Sequence, residues 1–350
     1  MRPVSLAVIG LLLVPAAAAA QEPMPPIPTP PPAPAPAPAP APPPAPAPAP
    51  PAPPAPTPPP VPTPPPAPAA GTLSLNVAHE ALAHSKLRVQ GTLSPAVRGQ
   101  RVTVTIKRGR HTLRSVKVRA GSRGTFLVGY TPRSGGRITI RASHAASAEV
   151  GAARAAVRRV DVIVPHATPG SHGSSVRWLQ RKLAGMHYSV SRGGTFDDAT
   201  ARAVMAYRKV NGMARTQVAD RSVFQRLARG MGEFKVRYPD HGRHVEGDLT
   251  HQVVALINPG GKVYRIYPTS SGKPSTPTVL GNFKVYMKTP GTNAKGMVDS
   301  NYFIRGYAIH GYADVPNYAA SHGCLRVPVP NAAFIFNWVR IGTPVDVYYR

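Results

Sequence analysis

The chain has one cysteine, Cys324, among 350 residues, so a disulfide within the chain is excluded. Acid is scarce too. Fourteen Asp and Glu stand against 42 Lys and Arg, a formal net charge of +28. Beyond the first 20 residues no run is apolar enough to cross a membrane, which takes roughly 20 residues. No phosphate-cradling loop, dinucleotide fingerprint or H-E-x-x-H pattern occurs, which removes the commonest nucleotide and zinc-peptidase classes. His241-Gly-Arg-His244 has ligand spacing but no carboxylate pattern beside it, and reads as a solvated loop. No metal and no cofactor are implied.

The first 70 residues cannot build a core. Met1–Ala20 has a basic start at Arg2, an apolar run from Leu6 to Val14 and the small residues Ala18–Ala20, the pattern of a cleaved secretory signal peptide. Residues 21–70 are expected to form a disordered spacer, in which Pro23–Pro68 is almost all Pro and Ala and would extend over on the order of 140 Å. The chain is therefore expected outside the cytoplasmic membrane, in the cell wall or secreted, touching membrane only through the leader if that stays uncleaved. Arg2 and Glu22 cancel, so residues 71–350 hold 41 basic and 13 acidic side chains. Such a field draws polyanions. Export points to anionic cell-wall polymers rather than nucleic acid. An odd cysteine in an exported chain suggests a partner disulfide or a reactive thiol.

Three folded segments follow. Residues 71–165 alternate as strands, in Leu73–Val77, Val102–Ile106, Val116–Val118 and Ile138–Ile140. About seven short strands in such a length predict an antiparallel β-sandwich. It is immunoglobulin-like (Ig-like) in architecture only, since Cys and Trp are absent here. Residues 166–230 predict a small three-helix bundle capped by Ser174, Asp197 and Asp220. Residues 231–350 return to strands, including Val263–Tyr267, Phe283–Met287, Tyr307–Ile309 and Val345–Val347, with one helix over Asn331–Val339 after Pro330.

The chemistry concentrates in His310-Gly311 and Ser321-His322-Gly323-Cys324-Leu325-Arg326. A thiolate attacks carbonyls far better than a thiol, and an imidazole generates it. Gly323 permits close backbone approach, and consecutive N–H groups in such a turn suit an oxyanion. His322 is two residues from the cysteine, about 6–7 Å along a strand, too far for a direct bond unless a turn intervenes. His310, at the end of its own strand, could face Cys324 from a neighbouring strand and is preferred as base, leaving His322 a positioning role. Arg326 suits a substrate carboxylate. Ser321 and Tyr302 are assigned with it to substrate binding.

These residues resemble the catalytic domain of the L,D-transpeptidases (the YkuD type). The likeness extends through Gln252-Val-Val, Ser270–Lys273, Thr276–Thr278, Gly281–Phe283 and Gly342–Val345. Upstream, Val176–Gln180, Leu183, Gly194–Thr200 and Asn211–Met213 resemble a peptidoglycan-binding repeat domain. The first resemblance implies a mostly-β fold and a Cys324 nucleophile. It implies His310 as proton acceptor and donor, held by the carbonyl of Gly311, with amides around Gly323 and Cys324 as oxyanion donors. The reaction implied is acyl transfer on peptidoglycan stem peptides through a thioester, giving direct cross-links. With water as acceptor the same site is an L,D-carboxypeptidase. A non-catalytic wall-binding protein is the rival from another class, and has no use for a reactive thiol. Two departures stand out: a short gap between His310 and Ser321, and extra residues between Thr276 and Phe283.

Overall fold

The computed structural model describes residues 67–350. The expected leader and most of the Pro/Ala spacer lie outside the described residues. Among the described residues no helix is long and apolar enough to cross a membrane.

The first segment has nine strands: β1 (Thr72–Asn76), β2 (Glu80–Leu82), β3 (Leu87–Ser94), β4 (Arg101–Arg108), β5 (His111–Arg119), β6 (Thr125–Tyr130), β7 (Gly136–His144), β8 (Ala153–Arg154) and β9 (Arg158–Ile163). One sheet runs β1-β3-β6; the other runs β2-β9-β7-β4-β5, with β8 on β7. Alternation does the building. Val102, Val104 and Ile106 on β4 point inward, as do Ile138 and Ile140 on β7, and they meet Leu75, Val89 and Phe126 of the smaller sheet in one core. Each such side chain contributes about 1.5–3 kcal/mol on burial. The expected all-antiparallel pairing fails at one place, because β2 and β9 pair in parallel. Alternation reveals which face is buried, not the direction of the neighbouring strand.

Three helices follow: α1 (Ser174–Gly185), α2 (Asp198–Val210) and α3 (Arg221–Ala228). Asp197 and Asp220 cap α2 and α3, accepting the N–H of Thr200 and Val223. Ser174 does not cap α1. It is the first helical residue, after Gly173 at φ 102°, and no side chain caps that end. The left-handed cap conformation favours glycine. Val176, Leu179, Val204, Tyr207, Val223 and Leu227 bury against each other and against Val253, Ala255 and Ile266 of the last segment.

That last segment has two sheets. β10 (His244–Asp248), β11 (Val253–Asn258), β12 (Lys262–Pro268), β13 (Gly281–Lys284) and β18 (Pro344–Tyr348) form one, ordered β12-β11-β10-β18-β13. β14 (Met287–Thr292), β15 (Val298–Ile304), β16 (Tyr307–Tyr312) and β17 (Leu325–Pro328) form the other in chain order, with α4 (Val329–Trp338) against it. The strand expected over Phe283–Met287 is really two. Val285 N–H bonds to Thr343 beside β18, whereas Tyr286 N–H bonds to Tyr302 on β15, so the chain changes sheets there. The alternation continues through the crossing because Val285 is buried in the shared core. Helix α4 starts earlier than expected, with Pro330 inside its first turn, where a missing N–H costs nothing.

Candidate active site

Strands β16 and β17 run parallel, with Ile309 opposite Leu325 and His310 opposite Arg326. Cys324 immediately precedes β17. Side chains two apart on a strand share a face, so His310 and Arg326 lie on the face to which Cys324 leads. His310 is interior to its strand rather than at its end, because β16 continues through Gly311 and Tyr312. Glycine is needed at Gly311: a Cβ there would lie 2.7 Å from Ala332 Cβ on α4 and 3.1 Å from Val298 Cβ.

His310 is buried, and its Nδ1 lies 2.8 Å from the carbonyl of Gly311. That carbonyl accepts Nδ1–H, so in the neutral ring Nε2 is the nitrogen with a free lone pair. Burial lowers the His310 pKa against the opposing Gly311 bond, and the charge of Arg326 adds to the lowering. Cys324 is partly buried, with Sγ 3.7 Å from the carbonyl of Gly306. Burial raises its pKa, opposed by the Ala308 N–H and by the charges of Arg326 and Lys295. Both shifts favour the neutral form of the group.

The turn before the cysteine is held from within. Ser321 is buried; its hydroxyl donates to the Cys324 carbonyl at 2.6 Å and accepts the Gly323 N–H at 3.1 Å. The Ser321 hydroxyl, expected at the substrate, and the Gly323 N–H, expected at the oxyanion, are thus engaged with each other within the turn. Gly323 has φ 111°, and a Cβ there would fall 1.8 Å from the Tyr307 ring. His322 is exposed, and among the described residues no side-chain hydrogen bond gives it the positioning role expected of it. Arg326 is not an open fork: its guanidinium lies 4.2 Å over the Tyr312 ring and 3.8 Å from the Asp314 carboxylate. Tyr302 is partly buried on β15, opposite Ala308 in register.

One set of supports has no role in the sequence reading. The backbone of Ser270 bonds Arg326 in both directions at 3.0 Å, and Ser271 O accepts from Ala320 and Ser321 at 2.9 Å. The Gln252 side chain fixes Ser271 through its N–H (2.9 Å) and its hydroxyl (2.7 Å). Behind them, buried Lys209 of α2 donates to the carbonyls of Thr269 (2.8 Å) and Gln252 (3.2 Å). The runs Gln252-Val-Val and Ser270–Lys273 are the only signal of these supports in the sequence, and residue type alone gives them no role.

The His241–His244 segment is not a wholly solvated loop. His244 is fully buried on β10, with Nε2 3.4 Å from Glu246, and His241 Nδ1 is 3.1 Å from Asp346. No group able to hold a metal is found among the described residues.

Residues 242–347 match the model of the L,D-transpeptidase catalytic domain, and residues 172–227 match a peptidoglycan binding domain. L,D-transpeptidase 1 of Mycobacterium tuberculosis is 31% identical over 117 residues, covering 26% of this chain and 45% of that protein. The chain thus spans under half the length of that curated relative. The crystal structure of an L,D-transpeptidase from Xylanimonas cellulosilytica is 31% identical, covering 52% of this chain and 97% of the other, at a TM-score of 0.49. One from Stackebrandtia nassauensis is 20% identical over 52% of this chain and 97% of the other, with a TM-score of 0.34.

Proposed function

From the premise that this chain belongs to the L,D-transpeptidase family through residues 242–347, we propose that it cross-links peptidoglycan stem peptides outside the cytoplasmic membrane, by a Cys324 thioester. The observation that carries the proposal is the His310 Nδ1 bond to Gly311. It leaves the free lone pair on Nε2, and the register sets His310 opposite Arg326, two residues after Cys324.

Cys324 starts as a thiol. As sulfur attacks the carbonyl of the L-configured residue in a stem tetrapeptide, His310 Nε2 takes the thiol proton. The Cys324 N–H stabilises the oxyanion, one such donor being worth about 3–4 kcal/mol. Collapse breaks the peptide bond, and the imidazolium returns the proton to the departing terminal D-amino acid. An amine of a second stem then attacks the thioester, His310 takes its proton, and the thiolate leaves and is reprotonated. The neutral resting pair suits this sequence, since no stored ion pair must be desolvated when an uncharged carbonyl arrives.

Residues 172–227 hold the glycan in this reading, and residues 71–165 are an immunoglobulin-like module that spaces the enzyme within the wall. The test is intact-mass measurement after incubation with a tetrapeptide donor or a carbapenem. The expected result is one adduct on Cys324, absent in Cys324→Ala. Processing at an undiminished rate by Cys324→Ala would sink the nucleophile assignment. Offering two stem peptides separates cross-linking from L,D-carboxypeptidase action by the product formed.

A further inference from the structure

The outward face of the larger sheet in residues 72–163 is a lattice of cations. On β4 the buried Val102, Val104 and Ile106 leave Arg101, Thr103 and Thr105 facing out. The register extends that face across the sheet. Arg101 stands opposite Arg119, and Thr103 lies between Lys117 and Ser143. Thr105 lies between Ser115 and Arg141, Ser143 opposes Arg154, and Thr139 opposes Arg159. Arg101, Lys117, Arg119, Arg141, Arg154 and Arg159 are all exposed. Hydroxyls fill positions between them, and those of Thr105 and Ser115 meet at 3.4 Å.

Acid does not neutralise this face. Residues 71–165 hold 17 Lys and Arg but only three acids, Glu80, Glu149 and Asp161. All three are engaged: Glu80 by Trp178 and Arg181, Asp161 by Arg137, and Glu149 by the Gln100 amide. Protection of a sheet edge accounts for cations on β5, the edge strand, because charge there blocks pairing with other chains. It does not account for Arg141, which stands on the interior strand β7; Arg159 lies on β9 ahead of the three residues that pair with β2. Like charges directly opposite each other, such as Arg101 and Arg119, destabilise a sheet, so the array is under repulsion that a bound polyanion would relieve.

We propose that this face binds a linear phosphodiester polymer. Outward positions recur at about 7 Å along a strand and about 5 Å across strands. Successive phosphates of one polymer therefore meet successive cations, while Thr and Ser hydroxyls donate to phosphate oxygens. The residues between the cations are mostly hydroxylic, and Leu113 is the one large apolar side chain exposed on β5, too little to insert into a bilayer. It offers no aromatic platform for nucleic-acid bases either. This site lies on different elements from Cys324 and stands whether or not the acyl-transfer reading holds.

The test uses the full chain and fluorescently labelled poly(glycerol phosphate), titrated over a salt series. One variant is Lys117→Glu/Arg141→Glu/Arg159→Glu. Its control, Arg192→Glu/Arg229→Glu/Arg340→Glu, alters exposed residues elsewhere and changes net charge equally. The expected result is at least tenfold weaker binding by the first variant only, with its log–log salt slope reduced by about 2 for three lost contacts. Equal weakening by both variants would overturn the proposal in favour of net charge alone. So would absence of polymer binding, or preferential binding of wild type to phosphatidylglycerol vesicles lost in the first variant. If thermal melting shows that the Glu variant does not fold, the Gln variant at the same three positions replaces it.

Discussion

Ser321 and Cys324 form a closed turn, in which the serine hydroxyl donates to the cysteine carbonyl at 2.6 Å while accepting the Gly323 N–H. The serine is buried, and both of these bonds lie within the turn that carries the thiol. Ser321→Ala strands a carbonyl and an N–H, at a cost of about 1–3 kcal/mol each if they stay dry. The expected outcome is a lower melting temperature and at least tenfold slower acylation of Cys324, read by mass spectrometry. Wild-type acylation would return Ser321 to the role of a substrate contact.

The two shifts make a pH prediction. His310 must be unprotonated to accept the thiol proton, and its pKa is lowered from 6.5. The acid limb of kcat/KM should therefore fall below the ordinary histidine range. The Cys324 pKa is raised from 9.0, so alkylation of the free enzyme by iodoacetamide should rise only above that value. An alkylation midpoint near 6 would mean a stored thiolate–imidazolium pair instead.

Lys209 should leave a signature in stability against pH. Its folded pKa is lowered from 10.5 to about 7, chiefly by burial and then by the charge of Arg215. Between those values the unfolded chain holds a proton that the folded chain has released, so stability rises as pH rises from 7 toward 10.5. The burial penalty is fully present below pH 7. Denaturant unfolding at pH 7 and pH 10 should show a rise of about 1–4 kcal/mol from this group, missing in Lys209→Met. An identical pH dependence in the variant would mean that Lys209 is solvated.

Gly311→Ala should destabilise by about 1–3 kcal/mol through overpacking against α4, because the new Cβ meets Ala332 at 2.7 Å. Ala332→Gly in the same chain should recover part of the loss. A double variant no more stable than Gly311→Ala would place the strain elsewhere, for instance against Val298. Chemical denaturation of the three proteins distinguishes these outcomes.

Much of the fold was legible because burial follows period. The alternations in Val102–Ile106 and Ile138–Ile140, and the spacing of Val176, Leu179 and Leu183, all mark the faces that pack. Asp197 and Asp220 were readable as caps because capping is local. Strand direction at β2, the change of sheet at Val285 and the start of α1 at Gly173 were not readable. Each depends on a partner distant in the chain or on a backbone angle.

The site divides in the same way. The sequence alone determined that the chain has one thiol and that it sits in Ser321-His322-Gly323-Cys324, while the pairing of β16 with β17 is what brings His310-Gly311 beside that segment. The sequence also determined the excess of positive charge. Only the tertiary structure decided that Ser321 and the Gly323 N–H bond to each other, that Arg326 lies over Tyr312, and that His310 is fixed by its neighbour's carbonyl. Only the strand register turned scattered arginines into one face. A single thiol is a fact of composition, but the use of a hydrogen bond depends on which donor and acceptor folding brings within about 3 Å.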